Sequence, residues 1–168
     1  ELFKGTQAGG FDFYSFHFFA RQLGKIQALA LGDFTVNLGQ GLIQWQQFAF
    51  RKSAAVVNTK RQGPVLKPYR AAGEHNFFRG GGLTLRHGNW QSTVFASVRK
   101  LSANLSADST HNGKSYITSL SPSGYHRSSQ EMADRNVVQN FSAGGSLRFR
   151  RSSWHVALNT VHHRFSLP

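Results

Sequence analysis

The side chains best equipped for chemistry in this chain are eight histidines and seven acids, set among twenty Lys and Arg in 168 residues, with no cysteine. A metal site needs imidazole or carboxylate ligands that converge on one point. His155 and His163 share a face of a strand-like run but lie far apart along it, while the neighbours His162 and His163 point to opposite faces. No carboxylate stands at a useful spacing from them, so the histidines read as polar-face or interface residues. The missing cysteine removes thiolate zinc sites, a Cys nucleophile and a disulfide scaffold together.

Other sequence patterns with catalytic potential fail on spacing. Ser121-Pro122-Ser123-Gly124 has the wrong glycine position for a nucleophile elbow. Gly39-Gln40-Gly41 begins a dinucleotide fingerprint, but Gln44 stands where the third glycine belongs and no βαβ unit surrounds it. A bulge or tight bend is the better reading. The seven acids are scattered over different elements, which leaves no pair for glycoside hydrolysis. Arg79-Gly80-Gly81-Gly82 could hold an anion on exposed backbone N–H groups or give a flexible lead-in to the next strand, and the second reading is preferred. The sequence therefore assigns no catalytic, cofactor-binding or metal-ligating residue, implies no cofactor, and reads as non-enzymatic.

The net charge of +13 invites a nucleic-acid partner, because Lys and Arg on phosphates supply most non-specific affinity. The basic residues are not gathered into one run, however. Lys25, Arg86, Arg99, Lys100, Arg148, Arg150 and Arg151 sit singly at strand ends and on polar faces, where a barrel interior or a lipopolysaccharide-facing rim would use them equally well. With 16% charged residues, 13% aromatic, fifteen Phe and seventeen Gly, the chain favours turns, bulges and sheet surface over an ordinary soluble domain. No run of roughly 18 apolar residues exists for a membrane helix. A transmembrane strand needs only about 9 to 11 alternating residues, so a barrel is compatible with a mean hydropathy of -0.38.

The elements that must position these residues are strands. In the central stretch, Ile26, Ala28, Ala30, Gly32, Phe34 and Val36 fall on one face; Lys25, Gln27, Leu29, Leu31, Asp33 and Thr35 fall on the other. Upstream, Phe11 to Ala20 is aromatic on both faces, and Gly24 turns it into the 25–36 strand as a hairpin. Gly82 to Arg86 leads through His87-Gly88-Asn89 into Trp90 to Leu101, a second hairpin. There Trp90, Ser92, Val94, Ala96 and Val98 oppose Gln91, Thr93, Ser97 and Arg99, with Phe95 the exception. Gly144 to Arg151 and Ser153 to Arg164 form a third hairpin, giving six strands. Residues 48–80 read as a long basic loop placed either in a lumen or outside it, and 102–128 as a polar loop. The capping box Ser128-Ser129-Gln130-Glu131 predicts one helix over 129–138.

The order of short motifs resembles a family. Gly32-Asp33-Phe34, Asn37 to Leu42, Phe48-Ala49-Phe50, Gly63-Pro64, Pro68-Tyr69 and Glu74 to Gly80, then Ser123 to Ser128 with Glu131-Met132-Ala133, resemble large Bacteroidota outer-membrane proteins labelled by an N-terminal helix-hairpin-helix module. The resemblance spans Phe11 to Phe165. It implies a membrane-embedded barrel wall with an internal or periplasmic loop. The module itself, which in other proteins binds DNA backbone, is not among these residues, and its hint of DNA handling or uptake attaches to none of them.

The expected fold is thus all-β: an antiparallel transmembrane β-barrel segment with long polar loops and one short loop helix, residues 1–168 belonging to one barrel domain of a longer chain. Six strands with open edges cannot stand in lipid, so the missing strands are expected outside this segment. The expected role is a porin-like channel wall or envelope assembly scaffold in the outer membrane of a Gram-negative bacterium, in contact with lipid and lipopolysaccharide. Its long loops could also dock other envelope proteins. The alternative is a soluble basic β-sheet module that binds nucleic acid through Arg, Lys and aromatic stacking.

Overall fold

Alternating runs closed by residues that tolerate a chain reversal give hairpins, and hairpins dominate the computed structural model, which describes residues 14–46, 63–70, 76–107, 115–121 and 129–168. In chain order the elements are β1 (His17–Leu23), β2 (Ile26–Val36), β3 (Leu66–Pro68), β4 (Phe78–His87), β5 (Trp90–Leu101), β6 (Ala103–Ala107), β7 (Ser115–Leu120), α1 (Ser129–Ala133), β8 (Val138–Arg151) and β9 (Trp154–Phe165).

Three tight turns join β1 to β2, β4 to β5 and β8 to β9, with Leu23 opposite Ile26, His87 opposite Trp90 and Arg151 opposite Trp154. Only the first residue of each two-residue turn has positive φ: Gly24 at 59°, Gly88 at 55° and Ser152 at 35°. That is the φ pattern of a type II′ turn, whose twist matches the flanking strands. Further antiparallel ladders, β2 to β4 and β5 to β8, merge the hairpins into one sheet of order β1-β2-β4-β5-β8-β9, with β3 added to the last three residues of β2. The three turns therefore share one end, and the long connections share the other. β1 and β9 are the two open edges, so the described strands form an all-β antiparallel sheet but not a closed barrel.

Several expected boundaries move. The first strand is His17–Leu23 rather than 11–20, and residues 11–13 lie outside the described set. β4 begins at Phe78, because Gly80, Gly81 and Gly82 are ladder residues and not a flexible lead-in. β8 begins at Val138, not Gly144. The polar stretch after Leu101 holds the β6–β7 hairpin, a separate two-stranded sheet. Its strands bury little, with Leu105, Tyr116 and Leu120 exposed; polar bonds such as Asn104 Nδ2 to Ser119 Oγ (2.8 Å) cross between them. The helix ends at Ala133, five residues short of expectation: Asn136, with φ at 56°, reverses the chain before Val138 joins β5. Ser128 of the capping box lies outside the described residues.

One face of the sheet is covered and the other is open, and their chemistry is inverted. Along β5, Thr93, Phe95 and Ser97 are buried while Val94 and Val98 are about half exposed (56% and 48%). Thr84, Ser142 and Ser146 join the covered face, whereas Leu31, Leu85, Trp90, Phe141, Leu147, Trp154, Val156 and Leu158 are exposed on the open one. A soluble antiparallel sheet places its polar residues toward water, the reverse of this arrangement.

The covered face owes its cover to residues 36–38 and 63–70. Val36, Leu38, Val65 and Leu66 pack with Ala30, Phe34, Phe78 and Phe95 in the apolar cluster. Asn37 pins the two segments together: its backbone N–H donates to the Val65 carbonyl (2.9 Å), and its side-chain amide donates to the Pro64 carbonyl (3.1 Å). Phe95, the apolar exception on its face of β5, lies opposite Gly82 on one side and Gly144 on the other. A Cβ on Gly82 would press within 3.1 Å of Leu66, and one on Gly144 would meet the Phe95 ring at 3.0 Å and collide with the Thr160 carbonyl oxygen. Glycine is needed there because ring and backbone already fill the space. Gly144→Ala is expected to lower the unfolding free energy of the intact protein by about 1–3 kcal/mol, through overpacking, whereas Val98→Ile on the open face leaves it nearly unchanged. Urea unfolding of the intact protein measures both.

Candidate functional site

Register gathers charge on the covered face at the turn end. Arg86 lies opposite Gln91, Gln91 opposite Arg148, and Arg150 two residues further along β8. Neighbouring strands are roughly 4.8 Å apart, so Arg86 and Arg148 are separated by about 10 Å with Gln91 between them. From the adjoining hairpin Arg21, opposite Ala28, joins the same face, its guanidinium carbon 4.9 Å from the Phe19 ring centre. These four arginines, with Gln27 and Gln91, line a cavity of about 640 Å³, and no Asp or Glu is among its described lining residues.

A bulge shapes this cavity. Ile26 pairs with Leu85 but Ala28 pairs with Thr84, which leaves Gln27 as an extra residue in β2. Bulges re-aim side chains; Gln27 thereby lines the cavity instead of continuing the alternation with Leu29 and Leu31. Two polar atoms on the cavity-lining residues, Arg148 Nε and Gln27 Oε1, are buried without a hydrogen-bond partner among the described residues. Buried polar atoms in native proteins are rarely left so.

Toward the long-connection end, charge is neutralised instead. Arg79 donates through Nε to Asp33 Oδ1 (2.7 Å) and through Nη2 to Asp33 Oδ2 (3.0 Å) and the Tyr14 carbonyl (2.9 Å). Phe16 N–H also donates to Asp33 Oδ2 (3.2 Å). Arg99 lies 3.9 Å over the Phe77 ring, which stacks on Tyr69 with centres 4.7 Å apart. Burial pushes the Tyr69 phenol above its ordinary range; nearby Arg99 opposes the shift and Asp33 adds to it. Between the two ends, the covered face carries hydroxyl pairs: Thr84 with Thr93 at 3.0 Å, and Ser142 with His163 Nδ1 at 2.8 Å.

The sequence candidates fall as follows. His163 bonds Ser142 on the covered face and His162 points to the other, both histidines being exposed, and no group of three potential ligands converges among the described residues. Gly39-Gln40-Gly41 is a 3-10 turn in which all three residues have positive φ, a tight bend as its sequence suggests. Arg79 to Gly82 is not an anion-binding loop: its glycines pair with β2 and β5, and its arginine is held by Asp33. Ser123 and Gly124 lie outside the described residues. Arg86, Arg148 and Arg150 stand out in sequence only as single polar-face residues; register alone brings them together. Nothing in the sequence marks the bulge that recruits Gln27.

The chain matches no protein family, no curated protein and no solved structure.

The Asp33–Arg79 pair is asymmetric, since the Asp33 side chain is 1% exposed and that of Arg79 34%. Removing the arginine strands a buried carboxylate, whereas removing the carboxylate leaves a guanidinium that reaches water. Arg79→Gln is therefore expected to destabilise by about 2–4 kcal/mol and Asp33→Asn by roughly half as much, compared by denaturant midpoints of the intact protein.

Proposed function

We infer that these residues form part of the wall of an outer-membrane β-barrel, a channel wall or envelope assembly scaffold and not a catalyst. The observation that carries this reading is the inversion of the sheet: apolar side chains on the open face and hydroxyls, amides and arginines on the covered one. Lipid on one side and a polar interior on the other is the environment that stabilises such a strand.

The dimensions agree. The open face of β5 is apolar or small from Trp90 to Val98, nine residues, then reaches Lys100; a tilted strand crosses the hydrocarbon with about 9 to 11. On β9 the same face runs from Trp154 through Val156 and Leu158 to His162 and Arg164. At the turn end Trp90, Phe149 and Trp154 pack in a row across three strands, with ring centres 4.8 and 5.6 Å apart. Aromatic girdles of this kind sit at membrane interfaces. Short turns at one end and long connections at the other match barrels whose turns lie in the periplasm and whose long connections lie outside. No helix of the described residues is long and apolar enough to cross a membrane, a result that does not bear on strands.

On this reading the open edges of β1 and β9 pair with further strands of the barrel, the open face meets lipid and lipopolysaccharide, and residues 63–70 lie in the lumen. The resemblance to Bacteroidota outer-membrane proteins points the same way, and any link to DNA handling stays with their helix-hairpin-helix module. A soluble nucleic-acid module asks for cations among exposed aromatics. Here the four cavity arginines, of which Arg21, Arg86 and Arg150 are exposed, stand on the face opposite the exposed row of Trp90 and Trp154, and the open face is apolar through its middle.

Leu158 separates the readings. It is 72% exposed, so in a soluble sheet Leu158→Arg changes stability by no more than about 0.5 kcal/mol. At mid-bilayer it costs about 2–4 kcal/mol and depletes the protein from the membrane fraction. The wild-type protein is expected to stay with envelopes through high salt and alkaline carbonate and to leave only with detergent; release by salt alone would favour the nucleic-acid module.

A further inference from the structure

The arginine cavity at the turn end is the feature that a barrel wall by itself does not explain. Four arginines line it with no carboxylate among the described lining residues, and like charges gathered on one face of a sheet repel one another. Elsewhere on the same sheet Arg79 is matched to Asp33, so the chain does neutralise arginine where nothing else is to be bound. Departures from local consistency of this kind concentrate at functional sites.

We propose that this cavity binds the phosphate group of a hydroxylated phosphomonoester, such as a sugar phosphate, in the barrel interior. The proposal rests on the barrel reading only for that last location. A phosphomonoester carries about −1.5 to −2 charge and three acceptor oxygens, enough to engage arginines arriving from several strands, whereas a carboxylate offers two oxygens and one charge. Arg86 and Arg148 project from strands two apart, Arg150 follows on β8, and Arg21 closes the group from β1. Arg148 Nε, buried and unpartnered, becomes a donor for the oxyanion once the guanidinium turns into the cavity. The orphaned Gln27 Oε1 is an acceptor, which a phosphate dianion cannot satisfy and a ligand hydroxyl can. A cavity of about 640 Å³ exceeds the volume of phosphate alone and leaves room for the rest of a small ester.

The test is titration calorimetry on the purified intact protein in detergent at low salt, with inorganic phosphate, a hexose 6-phosphate and unphosphorylated hexose as probes. Saturable binding of both phosphates with Kd below about 1 mM is expected, the ester tighter and the hexose silent. Arg148→Gln and Arg86→Gln should each weaken the ester at least about tenfold, Gln27→Leu should weaken the ester but not inorganic phosphate, and Arg164→Gln should change neither. Far-UV circular dichroism checks each variant for folding, and Arg86→Gln carries the test if Arg148→Gln does not fold. Competition by micelles containing anionic phospholipid would make the natural source a lipid headgroup; no competition would make it a free solute. Absence of phosphate binding up to about 10 mM, affinity indifferent to both arginine variants, or tight binding of a single-stranded oligonucleotide alone would overturn the proposal. Phosphate binding by a protein that salt washes off the envelope would leave the cavity standing and remove the barrel. Retention in the membrane without phosphate binding would do the opposite.

Discussion

The rest of the structure depends on one contact, the Phe95 ring held between Gly82 and Gly144 beneath Leu66. It lies midway across the sheet, on the central hairpin, and it touches the segment that covers the face. Remove the glycines and neither neighbouring strand can come close enough; remove the ring and the two glycines face an empty slot. Phe34 and Phe78 pack edge-on and tilted around Phe95, at 6.4 and 5.2 Å between ring centres, and complete a cluster of eight buried apolar residues.

Around that cluster the covered face divides into three zones. At the long-connection end Arg99 lies on the Phe77–Tyr69 stack. In the middle, Thr84 pairs with Thr93 and Ser142 with His163. At the turn end, arginines gather with no counter-charge among the described lining residues. Asp33 and Arg79 neutralise each other on the other face, in register with Leu31 and Gly81.

How much of this is legible in the sequence follows from the range of each signal. The three hairpins are readable because alternation and short turns, two of them carrying Gly, are local; the separation of Trp90, Val94 and Val98 from Thr93 and Ser97 survives intact in the structure. Strand starts at Phe78 and Val138 are not readable, since a run of glycines looks like a breaker until the neighbouring strands that crowd it are known. The β6–β7 hairpin escapes because it buries little and so has no hydrophobic rhythm. The arginine cavity escapes for a different reason: its arginines and glutamines come from five strands, and only the register that aligns Arg86, Gln91 and Arg148, with a one-residue bulge at Gln27, makes them neighbours.

The two-residue turns carry a consequence for how such a sheet can change over evolutionary time. With Leu23, His87 and Arg151 each locked to a partner across the turn, a strand has no slack in which to absorb a length change. Loss of a single residue from the middle of β8 would carry every side chain beyond it through the sheet, turning Ser142 outward and Phe141 inward. Loss of two residues keeps the faces and shortens the apolar band by about 7 Å. Loss or gain of a whole hairpin leaves every remaining strand correctly faced. Variation in this architecture is thus quantised, with the hairpin as its smallest freely exchangeable unit.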